Sequence, residues 1–465
     1  MLFNSLTFLI FFALVLLLHR LPVSWRTKKI QLVVASYLFY AAWNPPFVLL
    51  LAVSTLVAWI AARRIASSNS PAKRRLFLVI SLCVDLGMLG YFKYATFAVE
   101  NFARLLHAFG VAYDPPEWDI VLPVGISFYT FHTLSYTIDV YRRRFSPWPS
   151  FVDFALYVSF FPQLVAGPIT RAAQFLPQLV APRRATRAEF VWGIDLVIIG
   201  LFLKIVLADR IFRPVVDAVY SVAVSPNVAS AWSGMLAFCG QIYCDFAGYS
   251  TCAVGAALCL GFALPDNFRR PLAPIGFIDF WQRWHISLSS WLRDYVYVSL
   301  GGNRHGPVRS AANMMLTMLL AGLWHGASWT YIAFGGLNGI ALLGEVGVRR
   351  TRLAQSPFWG GTIPRIAIAA GTLLLLGWTC VFFRAQSIAQ AFAVSNALVG
   401  MVSSAAASSV KDSQAFLALM LIEVLFFVHF LMRDVSIEEL AARVPGWLWS
   451  VLLASMLVAI LLMPG

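Results

Sequence analysis

Stretches of about twenty residues almost free of charge recur along this chain, and that recurrence limits its fold more than any single motif does. A helix that crosses a bilayer needs ~20 mostly apolar residues. An α-helix also satisfies its own backbone hydrogen bonds in hydrocarbon, which few other elements can do. Strands of a membrane barrel would instead give weak alternating segments of ~10 residues, a pattern not seen here. Hydrophobic residues make up 60% of the chain and charged residues 12%. The fold class expected is therefore all-α: a polytopic integral membrane helical bundle. Spans are expected at about 2–18, 30–43, 47–62, 76–97, 120–138, 189–208, 229–262, 311–328, 331–347, 364–382, 414–432 and 447–463, eleven or twelve in all.

The charges between the first spans set an orientation. Arg20, Arg26, Lys28 and Lys29, then Arg63, Arg64, Lys73, Arg74 and Arg75, then Arg142, Arg143 and Arg144 fall in alternate loops. Loops rich in Lys and Arg stay cytoplasmic. The loop between them, with Glu100, Asp114, Glu117 and Asp119 against Arg104, fits the outer side. The N-terminal segment lacks a basic stretch before its apolar run and lacks an A-x-A site, so it reads as a retained span rather than a removed signal. The net charge of +14 belongs to these loops and does not call for nucleic acid. Six cysteines without a C-x-x-C read as small core residues, not as a metal site or disulfide framework.

Three segments depart from the simple pattern. Residues 151–166 are apolar but short and have Arg on both flanks; Pro162 and Gly167-Pro168 fit a broken, re-entrant or interfacial segment. Residues 264–309 mix Trp, Tyr and Arg, the signature of a membrane interface, and are placed on the cytoplasmic side. Residues 385–412 read as an external helix and loop. No internal repeat or separate soluble domain is visible. The expected organisation is one domain over 1–465, with N-terminal spans (1–150), a re-entrant or interfacial part (151–186), a catalytic core (187–347) and C-terminal spans (348–465).

The candidate chemistry centres on residues 277–330. His325 lies in an apolar run, within Gly322-Leu323-Trp324-His325-Gly326. An ionisable residue at membrane depth is costly and points to function, and a neutral imidazole in a dry site can act as a general base. His285 and Arg283 are further candidates, with Asp245, Tyr243, Tyr249 and Ser250 as a polar face fit to line a cavity. Lys204 either snorkels to the interface or pairs with a carboxylate such as Asp245. His19, His107, His305 and His429 read as packing histidines, and His132 stays ambiguous. No G-x-S-x-G, H-E-x-x-H, P-loop or metal-ligand cluster occurs. On residue chemistry alone, an enzyme and a transporter with buried ionisable groups both remain open.

Longer motifs go further. Asp279-Phe280-Trp281-Gln282-Arg283-Trp284-His285-Ile286-Ser287-Leu288-Ser289 with Trp291-Leu292-Arg293-Asp294-Tyr295, and Gly322 to Trp329, resemble the signature of the membrane-bound O-acyltransferase (MBOAT) family. The closer resemblance is to its bacterial branch that contains the alginate O-acetyltransferase membrane subunit. Met1 to Ser5, Leu122 to Phe128, Phe160 to Ile169, Tyr243 to Ser250, Leu264 to Phe268 and Leu300 to Arg304 also match. The resemblance covers residues 1 to about 340; beyond about 350 only hydrophobicity matches.

The resemblance implies a bundle with a central tunnel in the bacterial inner (plasma) membrane. It implies acetyl-CoA as acyl donor, with no bound cofactor and no metal. The acetyl group would reach an exopolysaccharide directly or through a periplasmic acetyltransferase partner. The family's two characteristic histidines map to His285 and His325, the latter as the catalytic one. Arg283, Trp284, Trp324, Asp245 and Tyr249 are then expected to bind donor or substrate. A related reading is D-alanyl transfer to teichoic acids.

Overall fold

The structure is a computed structural model that describes residues 3–116, 118–221, 226–352, 354, 356–401 and 410–463. Glu117, Met1 and Leu2 of the opening motif, and 402–409 of the 385–412 segment lie outside the described residues. Every regular element among the described residues is a helix. Each of the twelve apolar segments corresponds to one of them. Seven are long and apolar enough to cross a membrane: Phe47–Ser67, Pro71–Ala108, Arg187–Tyr220, Val228–Cys259, Trp329–Arg349, Thr362–Arg384 and Asp412–Leu431. Leu6–Arg20 and Gly446–Leu462 are shorter apolar helices. The remaining three are Trp25–Ala41, Ile126–Tyr141 and Pro307–His325. They carry polar or basic residues within their own length, such as Lys28, Thr133 and Arg309.

The chain forms two compact units. One comprises Met1–Val197 with Cys252–Pro265, the other Ile198–Thr251 with Asp266–Gly465. In the first, Ile126–Tyr141 is buried along nearly its whole length. Two of its hydroxyls meet partners within the unit: Thr133 Oγ1 lies 3.3 Å from Ser54 Oγ, and Thr137 Oγ1 lies 3.3 Å from Ser81 Oγ. Packing inside protein, not lipid, is what makes so polar a helix tolerable here. The helix begins at Gly125, whose φ of +76° is left-handed. A Cβ there would sit 2.6 Å from Leu164 O, so this turn requires glycine.

The 151–166 segment is broken as its prolines suggest, into Phe151–Ser159 and Phe161–Leu164. Nine residues rise only about 14 Å, well short of the ~30 Å hydrocarbon core. Residues 153–164 are buried throughout. Asp153 is held by Lys29 Nζ at 2.6 Å and by Trp148 Nε1 at 3.1 Å, which neutralises a carboxylate inside the unit.

In the second unit, helices Pro307–His325 and Trp329–Arg349 form a hairpin in which Gly322 faces Gly335. A Cβ on Gly322 would strike Tyr331 O and come within 3.1 Å of Gly335 Cα. Close backbone approach of this kind is what small residues at membrane helix contacts permit. Gly322→Ala is therefore expected to force the hairpin apart, three residues from His325. Overpacking of a tight contact costs about 1–3 kcal/mol, so the variant should show a lower thermal midpoint in detergent than the wild type. An unchanged midpoint would mean that the hairpin is not constrained at this point.

Candidate active site

His325 is the last residue of helix Pro307–His325, and Gly326 continues in extended conformation. Ser328 then caps the next helix, its hydroxyl accepting from Thr330 N at 3.3 Å. Three residues thus join the two helices, and the imidazole sits at the carbonyl end of the first. That end carries the negative pole of the helix dipole and favours a cation. Around the ring are Trp324 at 4.9 Å, Phe383 at 5.0 Å, Phe334 at 6.2 Å and Tyr331 at 6.5 Å between centroids.

His285 reaches the same place from another element. It separates the short helices Phe277–Arg283 and Ile286–Leu292 and has φ 42° and ψ 54°. A non-glycine residue in this region is strained, and surrounding contacts must hold it there. Hydrogen bonds do so on both sides. Arg269 N donates to Arg283 O at 2.9 Å, and Ile286 N donates to Asn267 O at 2.9 Å. Ser287 N and Ser287 Oγ both donate to Asn267 Oδ1, at 3.2 and 2.9 Å.

The His285 side chain is 0% exposed. Phe246 stands edge-on to it at 4.5 Å, and Trp324 lies at 5.6 Å. The rings thus run Phe246, His285, Trp324, His325, Phe383. Neither ring nitrogen of His285 has a hydrogen-bond partner among the described residues. Burial first, and repulsion from His325 whenever that ring is protonated second, lower this imidazole well below the ordinary histidine range, which favours its neutral form.

The other expected site residues fall nearby, each with a defined engagement. Arg283 donates to Asp279 Oδ1 at 2.8 Å, to Arg433 O at 2.8 Å, to Arg269 O at 3.3 Å and to Asp434 Oδ1 at 3.1 Å. A guanidinium has five N–H groups, and these four bonds lie within the protein. These bonds brace Arg283 against Asp279, Arg269, Arg433 and Asp434. Trp284 is buried against Phe280, stacked at 5.5 Å, and against Phe268 at 5.0 Å. Asp245 and Asp209 both pair with Lys204, the latter at 2.9 Å, and Tyr249 lies under the Lys204 ammonium at 5.4 Å. Helical rotation of ~100° per residue turns Phe246 to His285 while Asp245 meets Lys204. His285, Trp324 and His325 come together; Asp245 and Tyr249 belong to the Lys204 cluster.

Residues beyond 350, silent in the sequence, complete the surroundings. Phe383 packs on His325. His429 Nδ1 accepts from Leu272 N at 3.1 Å, a packing histidine with its tautomer fixed. Arg433 binds Asp279 Oδ2 at 2.5 Å and donates to Ala273 O at 2.7 Å. Cys239, Cys244, Cys252 and Cys259 are buried as expected of core residues, whereas Cys83 is exposed.

Residues 133–383 match the MBOAT, membrane-bound O-acyltransferase, family, a stretch that contains both histidines and the hairpin. The chain belongs to this family. It is an O-acyltransferase and a multi-pass membrane protein. An Azotobacter vinelandii protein named "Probable alginate O-acetylase AlgI" is 40% identical over 392 residues, 83% of this chain and 76% of that one. The Pseudomonas aeruginosa protein of the same name is 38% identical over 403 residues, covering 86% and 75%. The "Peptidoglycan O-acetyltransferase" of Helicobacter pylori is 33% identical over 415 residues, covering 84% and 77%. The MBOAT resemblance that the two histidine motifs carried is thus confirmed. Asn267 and Phe246 were within reach of that reading, since both lie in matching motifs. Their contacts with the His285 segment cross 20 and 39 residues of sequence and show only in the fold.

Proposed function

We propose that this MBOAT protein moves an acetyl group from cytoplasmic acetyl-CoA, through the bacterial inner membrane, to hydroxyl groups of an alginate-like exopolysaccharide. A periplasmic acetyltransferase partner receives the group or completes its transfer. The single observation that carries the reading is the ring cluster of buried His285 with half-buried Trp324 and His325 at the end of a glycine-tight hairpin, within a family of O-acyltransferases. The named relatives that act on alginate and on peptidoglycan support acetyl as the acyl group and a glycan as the acceptor.

In the proposed step His325 takes the proton of the attacking hydroxyl. The oxygen bonds to the thioester carbonyl carbon, and the carbon–sulfur bond breaks. The imidazolium then returns its proton to the departing thiolate. The helix dipole at His325 favours the charged intermediate state of the ring, and the apolar surroundings keep water from the thioester. His285, strained and neutral, orients Trp324 and with it His325.

A positioning role costs less than loss of a base. Misplacement by about 1 Å costs ~10²-fold, so His285→Ala should retain measurable turnover at about a hundredth of the wild-type kcat. Steady-state kinetics with purified protein and a soluble hydroxyl acceptor test this. Complete loss in His285→Ala, equal to that in His325→Ala, would show that the two histidines act as one catalytic unit.

A further inference from the structure

We infer that Asn267 is a substrate-binding residue of this site: its side-chain N–H donates a hydrogen bond to the carbonyl oxygen of the bound acyl thioester. This rests on the acyltransfer reading above. Asn267 is 3% exposed. Its amide orientation is settled by chemistry, because Ser287 N can only donate and lies 3.2 Å from Oδ1. Nδ2 therefore faces the other way with two protons. It has no hydrogen-bond partner among the described residues.

An unsatisfied buried donor is unfavourable by about 1–3 kcal/mol, and native interiors hold few of them. Here it does not stand alone. The residue that Asn267 clamps on its C-terminal side is His285, whose two ring nitrogens are also buried and without partners. Three polar atoms without partners among the described residues thus lie on the strained His285 turn and on the residue that clamps it, and His285 touches Trp324 beside His325. The cluster offers N–H donors to a group that accepts hydrogen bonds, and a neutral imidazole adds no charge that would repel or attract an ion. A thioester carbonyl fits that description. When the hydroxyl oxygen attacks, negative charge develops on this carbonyl oxygen. A preorganised donor in a dry site then acts most strongly. No proton moves to or from Asn267; the transferred proton goes from the hydroxyl to His325 and on to sulfur.

Asn267→Asp tests the donor separately from the clamp. The aspartate keeps an oxygen for Ser287 N and Ser287 Oγ but removes the NH₂ group. Loss of one such donor lowers kcat by ~10²–10³-fold, with KM for the thioester little changed. The second measurement is the infrared carbonyl band of a ¹³C-labelled acetyl thioester bound to His325→Ala protein. The band should move to higher frequency when Asn267→Asp or Asn267→Ala is added, because the polarising bond is gone. Either result can be read even if one of the two variants fails to accumulate. Wild-type kcat in Asn267→Asp, or a carbonyl band unmoved by both substitutions, overturns the proposal while leaving the base role of His325 intact. If His325→Ala itself turns over the thioester normally, the acyltransfer reading fails first.

Discussion

Replacing His325 by alanine should leave the protein in the membrane at its normal level and reduce O-acetylation of the cell's polysaccharide to background. A general base typically contributes ~10²–10⁴-fold, and here the imidazole also carries the proton back to the leaving sulfur. His325 is half-buried at a helix end, and its neighbours Phe383, Phe334 and Tyr331 also contact one another, Phe383 lying 5.0 Å from Tyr331 and 5.2 Å from Phe334. Those contacts survive the substitution, so the fold should persist. Acetyl ester content of the secreted glycan, set against immunoblots of the membrane fraction, reads both quantities. Acetylation above background at normal protein level counts against the role assigned to His325.

The second large effect is expected at Asp279, which performs no chemistry. Its two oxygens receive Arg283 Nε at 2.8 Å, Arg433 Nη2 at 2.5 Å and Ile275 N at 2.8 Å. Asp279→Ala leaves two guanidiniums facing one another in a largely enclosed place, the Arg433 side chain being 10% exposed. Removing one partner of a buried ion pair costs 3–5 kcal/mol, and about 3 kcal/mol is expected at this slightly open site. The turn that holds His285 is anchored through Arg283, so activity should fall with stability. Thermal unfolding in detergent, with and without Asp279→Asn as the neutral isostere, measures the effect. A midpoint within a degree of wild type would show that the network does not brace this segment.

Burial alone would raise the Asp279 pKa, but the bonds from Arg283, Arg433 and the Ile275 amide outweigh it and hold the carboxyl below the usual carboxylate range. The ionised form is thus favoured by folding. Its stabilisation is complete above the unfolded carboxylate pKa of about 3.9 and is lost as pH falls through the lower folded value. The stability difference between wild type and Asp279→Ala should therefore be constant near neutrality and shrink below about pH 4.

How the sequence and the structure divide the information follows from these elements. The apolar segments were legible because hydrocarbon demands length and hydrophobicity together. The long helices were legible only in part. Asp209-Arg210 reads as the end of a span, yet the helix runs on to Tyr220 through a π-helical stretch, Phe202–Phe212. Lys204 pairs with both Asp209 and Asp245 there, so the charges do not end the helix. The two histidines were legible from their motifs, and the structure adds that Trp324 lies between them.

What holds them was hidden. Arg283 stands out in sequence as a donor- or substrate-binding candidate, and its partners Arg433 and Asp434 are 150 and 151 residues away. Phe383 and His429 are ordinary residues of apolar spans until the fold sets them against His325 and Leu272. A contact between distant residues leaves no periodic trace in a single chain, so the scaffold of the site appears only in three dimensions.

Transfer across a sealed membrane tests the central claim most directly. Purified protein in liposomes would be supplied with ¹⁴C-acetyl-CoA on the side of the Arg20–Lys29 loop and with a hydroxyl acceptor, or the periplasmic partner, on the opposite side. The expected result is label on the acceptor side that depends on protein and is absent with His325→Ala. Label that crosses equally well with His325→Ala, or movement of acceptor without consumption of acetyl-CoA, would contradict the account.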